Sequence, residues 1–170
     1  MRTILLAGLL LLLGCTDNSQ LYQNTPLGFS LRLPASVQLR EDYMGNAVVI
    51  EPRVDSALAG KLRYLSIDVN EAKSATSSLE SYSQFRLKGL QHFAVRSDIT
   101  HREEVKLAAY PAQRLRMNVQ FGAQESELLL HYLIAGGRGY TFTAAFPPNA
   151  DPSAIKVVDS IITSFSAPLD

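Results

Sequence analysis

The chain has no tryptophan, one cysteine and three histidines in 170 residues. With Cys15 alone, a disulfide framework and a thiolate zinc cluster are both excluded. No H-x-x-x-H pair, no Asp-rich twelve-residue calcium loop and no G-x-S-x-G elbow occurs, so the usual metal and nucleophile signatures are missing. Excess charge is missing as well: 16 basic residues balance 16 acidic ones. A chain so balanced has no footprint for nucleic acid and no polybasic surface for a bilayer. Nor is any apolar run long enough to span a membrane, which takes roughly 17–25 residues.

The apolar run that does occur is short and sits at the start. Met1-Arg2-Thr3 leads into Ile4 to Leu13, then Gly14-Cys15 and the polar Thr16-Asp17-Asn18-Ser19-Gln20. Charge, apolar stretch, small residue and polar tail follow the order of an export signal. Leu12-Leu13-Gly14-Cys15 resembles the lipobox of bacterial lipoproteins, and the resemblance implies cleavage before Cys15 and acylation of that residue. A buried core cysteine is the alternative, and the polar residues directly after Cys15 argue against it. Residues 1–14 are therefore expected to be a signal peptide, 15–20 a lipidated tether and 21–170 a single domain. Two or three acyl chains hold a protein firmly where one is marginal. In the lipoproteins that this pattern resembles, Asp directly after the cysteine favours the inner membrane; Thr16 stands there. The expectation is an outer-membrane anchor facing the periplasm, with the inner membrane as the alternative.

Along the mature chain, Phe29-Ser30-Leu31-Arg32-Leu33 alternates apolar with polar, Asn46 to Glu51 carries Val48-Val49-Ile50, and Leu62 to Val69 places Leu65, Ile67 and Val69 on one face. These read as strands. Ser77 or Ser78 caps a predicted helix in which Leu79, Tyr82, Leu90 and Phe93, flanked by Phe85 and Leu87, form a core-facing stripe. Four strands follow, Val95 to Leu107, Tyr110 to Phe121, Glu125 to Ala135 and Tyr140 to Phe146, with Gly136-Gly137-Arg138-Gly139 as a tight turn. Asp151-Pro152 opens a closing helix with Ile155, Val158, Ile162 and Phe165 on its apolar side and Pro168 beyond it. The order predicts an α+β fold with helices packed on an antiparallel sheet.

Gly28 to Pro34, the helix of Leu79 to Phe93, Tyr110-Pro111-Ala112, Gly139-Tyr140-Thr141-Phe142-Thr143 and Ile161 to Phe165 occur in an order similar to the PsbP-like fold, which also includes DcrB-like envelope proteins. The resemblance implies an α/β/α sandwich used for protein contacts, and it brings no catalytic, cofactor or metal residue with it.

Candidates for chemistry are few. His131 shares a strand face with Glu127, Leu129 and Leu133 and has no companion nucleophile, so a histidine satisfied by a neighbour is the better reading than a general base. His101 shares a face with Glu103 while Glu104 points away, which suits a solvated strand. Arg114 and Arg116 on one strand are set to meet Glu125 and Glu127 on the next, as register-fixing pairs of about 0.2–1 kcal/mol each. Tyr22 and Tyr43 are expected in loops, and Tyr64 on a face that a helix covers. The sum points to a noncatalytic, membrane-anchored module that binds another envelope protein. A binder of a small or lipidic ligand, held between sheet and helices, is the alternative.

Overall fold

The computed structural model describes residues 19–43, 45–71 and 78–167. The signal segment, Cys15 and most of the expected tether lie outside them, as does Pro168. Among the described residues, nine strands and two helices run in the order β1 (Gln20–Asn24), β2 (Phe29–Leu33), β3 (Val37–Tyr43), β4 (Asn46–Pro52), β5 (Tyr64–Glu71), α1 (Leu79–Phe93), β6 (Arg96–Leu107), β7 (Tyr110–Phe121), β8 (Gln124–Ala135), β9 (Arg138–Phe146) and α2 (Pro152–Thr163).

Strands β3 to β9 form one seven-stranded antiparallel sheet in the order β3-β4-β5-β9-β8-β7-β6. The predicted meander is its right half. Gly136 and Gly137 both have positive φ, 55° and 66°, and close the two-residue hairpin between β8 and β9 as anticipated. At the outer edge, the β6–β7 register shifts between Ile99 and His101, a bulge that bends β6.

The sheet carries a separate apolar core on each face because its strands alternate. One face bears Leu129, Leu133, Phe142, Ala144 and Phe146, packed under α2 and under the β1–β2 hairpin. The Asp151 carboxylate accepts from Ser153 N at 2.8 Å and caps α2, and Ala154, Val158, Ile161 and Ile162 are its buried residues. Phe165, just past the helix, stands at the centre of Phe29, Tyr110, Tyr140 and Phe142. Ser30 and Ser166 exchange both backbone hydrogen bonds, at 2.8 and 3.1 Å, and so tie the chain after α2 to the hairpin. The other face bears Leu115, Met117, Val119, Leu128, Leu130 and Tyr132, and among the described residues only α1 lies on it.

Strands β1 and β3 are absent from the sequence reading, and they correct it for Tyr22 and Tyr43, which lie in strands and not in loops. Tyr22 Oη donates to Glu41 Oε1 at 2.6 Å, and burial together with that carboxylate pushes its hydroxyl up to about 12. Arg40 lies over the Tyr43 ring, 4.9 Å from its centroid.

Candidate binding site

Helix α1 is positioned through three residues, Ser78, Tyr82 and Arg86. Ser78 Oγ accepts from Ser81 N at 3.1 Å and starts the helix. Tyr82 then lays its ring over Gly139, where a Cβ would sit 2.4 Å from the ring, so only glycine in β9 admits this seat. The Tyr82 hydroxyl reaches Thr141 Oγ1 at 2.9 Å. One turn on, Arg86 Nη2 donates to Asp68 at 2.7 Å from the β5 side. Burial raises the Asp68 carboxyl above its ordinary value, with the Arg86 charge opposing.

This seating rolls the helix away from the stripe expected of it. Tyr82, Ser83 and Leu87 are buried, whereas Phe85 is 63% and Phe93 76% exposed. A 3.6-residue period fixes which residues share a side of a helix, but not how far the helix turns toward its neighbours. The Gly139 seat and the Arg86–Asp68 pair decide that here.

The two exposed rings border an open groove of about 840 Å³ between α1 and strands β4, β5 and β9. One row of its floor is set by register, Val49 opposite Ser66 and Ser66 opposite Thr143. Tyr64, half-buried beside that row, packs against the core on the α1 face and also lines the groove. Burial raises its hydroxyl above the ordinary tyrosine value. The walls are Leu90, Phe85 and Phe93 on one side and Tyr43 on the other. The volume is within the range of about 300–1,000 Å³ typical of ligand clefts, and the lining mixes apolar walls with a few hydroxyls.

Gly89 lies between Phe85 and Phe93 along the same edge of α1. A Cβ there would meet nothing within 4 Å. Glycine inside a helix costs about 0.5–1 kcal/mol relative to alanine. Gly89→Ala is therefore expected to raise stability by about that amount, a gain of roughly 1–4 °C in melting temperature; a loss of stability in thermal unfolding would show a packing role that the open space does not reveal.

The opposite face holds a second, polar groove of about 890 Å³ over β6, β7 and β8. Several of its charges sit in ion pairs. Arg116 pairs with Glu127, as expected, and Glu127 Oε2 also accepts from Ala150 N at 3.0 Å. Arg114 departs from the expected pairing: it reaches Asp159 of α2 at 3.1 Å and Glu103 at 3.6 Å, not Glu125. His101 Nε2 stands 3.7 Å from Glu103, while Glu104 pairs in register with Gln113. The exposed setting of His101 and Glu103 suits a solvated pair worth little, while Arg114 and Glu127 are more sheltered.

His131 corrects the sequence reading differently. It is 2% exposed beneath α2, and its Nδ1 has no hydrogen-bond partner among the described residues. Burial, with the adjacent Arg114 charge, lowers it to about 3. It lines neither groove, so a substrate in either would not reach it. The sequence offers a cleft between sheet and helices only as an alternative and does not place Phe85 and Phe93 at its border, because the apolar pattern of the helix looks the same for a ring in the core and a ring at its edge.

No protein-family model matches the chain, and no curated protein sequence matches it. Solved structures do. Cyanobacterial PsbP (CyanoP) from Synechocystis superposes with a TM-score of 0.65 at 15% identity, over 89% of this chain and 94% of its own. The Ran-binding protein Mog1p of Saccharomyces cerevisiae gives 0.65 at 10% identity, over 89% and 96%. A protein of unknown function from Pseudomonas aeruginosa gives 0.51 at 14% identity, over 84% and 94%. At such identities the likeness concerns architecture alone, and that architecture is the PsbP-like sandwich: an antiparallel sheet between helical layers, α+β in class.

Proposed function

We propose that this chain is a membrane-anchored, noncatalytic lipoprotein that binds another envelope protein through the groove beside α1. The observation that carries the reading is the pair of phenylalanines on one helix edge, Phe85 and Phe93, both more than half exposed next to an apolar cleft. Exposed aromatics beside a cleft are costly to leave in water and are enriched at the centres of protein interfaces. The Ran-binding neighbour supports a contact role for the fold by analogy only. Cys15, acylated, supplies the bilayer as the second partner, at the outer membrane facing the periplasm, with the inner membrane the alternative address.

Both halves are tested in one set of cells. Wild-type chain is expected to carry acyl mass and to sediment with membranes, and Cys15→Ser to lose both; an unmodified soluble product in a host with lipoprotein processing removes the anchor. Chemical crosslinking in those cells is expected to recover one dominant partner that Phe85→Ser with Phe93→Ser loses. These positions are exposed, so the substitutions leave the fold within about 0.5 kcal/mol. Equal recovery from the double variant overturns the groove as the contact surface. A second reading, a small or lipidic ligand in the same groove, is favoured by the Ser66 and Thr143 hydroxyls on its floor. Native mass spectrometry of protein beginning at Thr16 would show such a ligand retained, and a bare mass would remove it.

A further inference from the structure

Among the described residues, the helical layer on the α1 side is one helix too narrow for its sheet. Seven strands spaced about 4.8 Å apart make a surface roughly 29 Å across, whereas a helix with its side chains is about 10–12 Å wide. On the opposite face α2 shares the cover with the β1–β2 hairpin. On this face α1 rests on β7 and β8, and among the described residues no second element covers β4, β5 and β9.

The edge of α1 that faces the uncovered strands reads Phe85, Gly89, Phe93, a spacing of four that keeps all three on one line along the helix. The outer two are exposed, and an added Cβ on the middle one would meet only open space. Gly89 does not have a positive φ. No contact among the described residues and no backbone conformation therefore accounts for glycine inside this helix. A small residue at the point of closest approach lets two helices pack at the short end of the usual 8–10 Å separation, with larger side chains interlocking on either side. Charge adds a direction. Of the ionised groups lining the groove, Asp68 is held by Arg86 and Glu51 by Arg40. Lys88, exposed on the helical rim, makes no ion pair among the described residues.

We infer that the groove receives an amphipathic α-helix of the partner protein, which packs along α1 with its closest approach at Gly89, apolar residues between Phe85 and Phe93, and a carboxylate opposite Lys88. The inference rests on the protein-binding reading and narrows it to one kind of partner.

The test places the photoreactive residue benzoylphenylalanine at position 85, 93 or 99 of the full-length chain in its native host, and sequences the crosslinked peptides. Residues 85 and 93 are about 12 Å apart along α1, at 1.5 Å per residue. A partner helix lying along α1 is expected to be tagged by them at sites about seven or eight residues apart. Sites about four residues apart would mark an extended strand, at roughly 3.3 Å per residue, and overturn the inference. Gly89→Leu, a good helix former that fills the open space, is expected to cut both crosslinks at least tenfold; unchanged yields would also overturn it. Protein crosslinks from position 99 alone, on the far side of α1, would keep the partner and discard the helix in the groove. Lipid tagged from 85 and 93 would replace the helix with an amphiphile, and no adduct from any position would remove both this inference and the reading beneath it.

Discussion

Phe165→Ala is expected to destabilise the fold by about 3–5 kcal/mol, the usual range for truncating a fully buried phenylalanine. Phe165 is 1% exposed, and four aromatic rings lie within 6.1 Å of its centroid. They come from β2, β7 and β9, so the single ring joins the hairpin, the sheet and the end of α2. Native domains have only about 5–15 kcal/mol in total, so most of the margin is at stake. Urea unfolding is expected to show a lower midpoint at unchanged slope. Phe93→Ala is the internal control: the same truncation at an exposed position is expected to stay within about 0.5 kcal/mol. Equal losses from the two would mean that α1 is seated differently from the description above.

The second large effect is a dependence on pH that His131 imposes. Its imidazole titrates near 6.5 in the unfolded chain and is lowered to about 3 in the fold, by burial first and the Arg114 charge second. Between those values the unfolded chain binds the proton and the folded chain does not. The stability it allows is thus fully present above pH 6.5 and declines as pH falls toward 3, by about 1.4 kcal/mol per pH unit. Acidification from pH 7.5 to 5 is expected to cost the wild type about 2 kcal/mol through this group. His131→Leu keeps a comparable volume, removes the unpaired Nδ1 and is expected to lose that part of the slope. Urea titrations of both proteins at the two pH values decide it, since other groups titrate in both and cancel in the comparison. Parallel declines would mean that the imidazole finds a partner or solvent on protonation.

The residues that announced themselves in the sequence were those whose pattern depends on near neighbours. Alternation in β5 and β7, the Asp151-Pro152 start of α2 and the paired glycines before Arg138 each report a local geometry, and each is where it was expected. Strand β3 hid because Gln38, Arg40 and Glu41 are polar on an edge with solvent beside it, and β1 because only Asn24 of its five residues is buried. The groove hid for another reason. Its floor is assembled from Val49, Ser66 and Thr143, which are far apart in the chain, and its wall depends on a roll of α1 set by Gly139, some fifty residues downstream. Arg114 likewise passes over the neighbouring strand for Asp159, a partner supplied by the packing of α2. The anchor proposed at Cys15 stands apart from all of this, since its evidence is a linear pattern and its test is chemical.

An antiparallel sheet of this width has two open edges, and β6 is the longer, twelve residues against seven in β3. Unpaired backbone along such an edge is an invitation to a further strand from another molecule. The shift between Ile99 and His101 breaks the regular row of donors and acceptors, and Arg96, Asp98, Arg102, Glu103, Glu104 and Lys106 surround it with charge of both signs. A neighbouring copy would have to match the kink and desolvate those charges to add itself. The chain can therefore be crowded at high local density without zipping into fibrils, and a segment replacing Ile99 to Glu104 with a straight run of valine and threonine would take away that protection while leaving every buried residue in place.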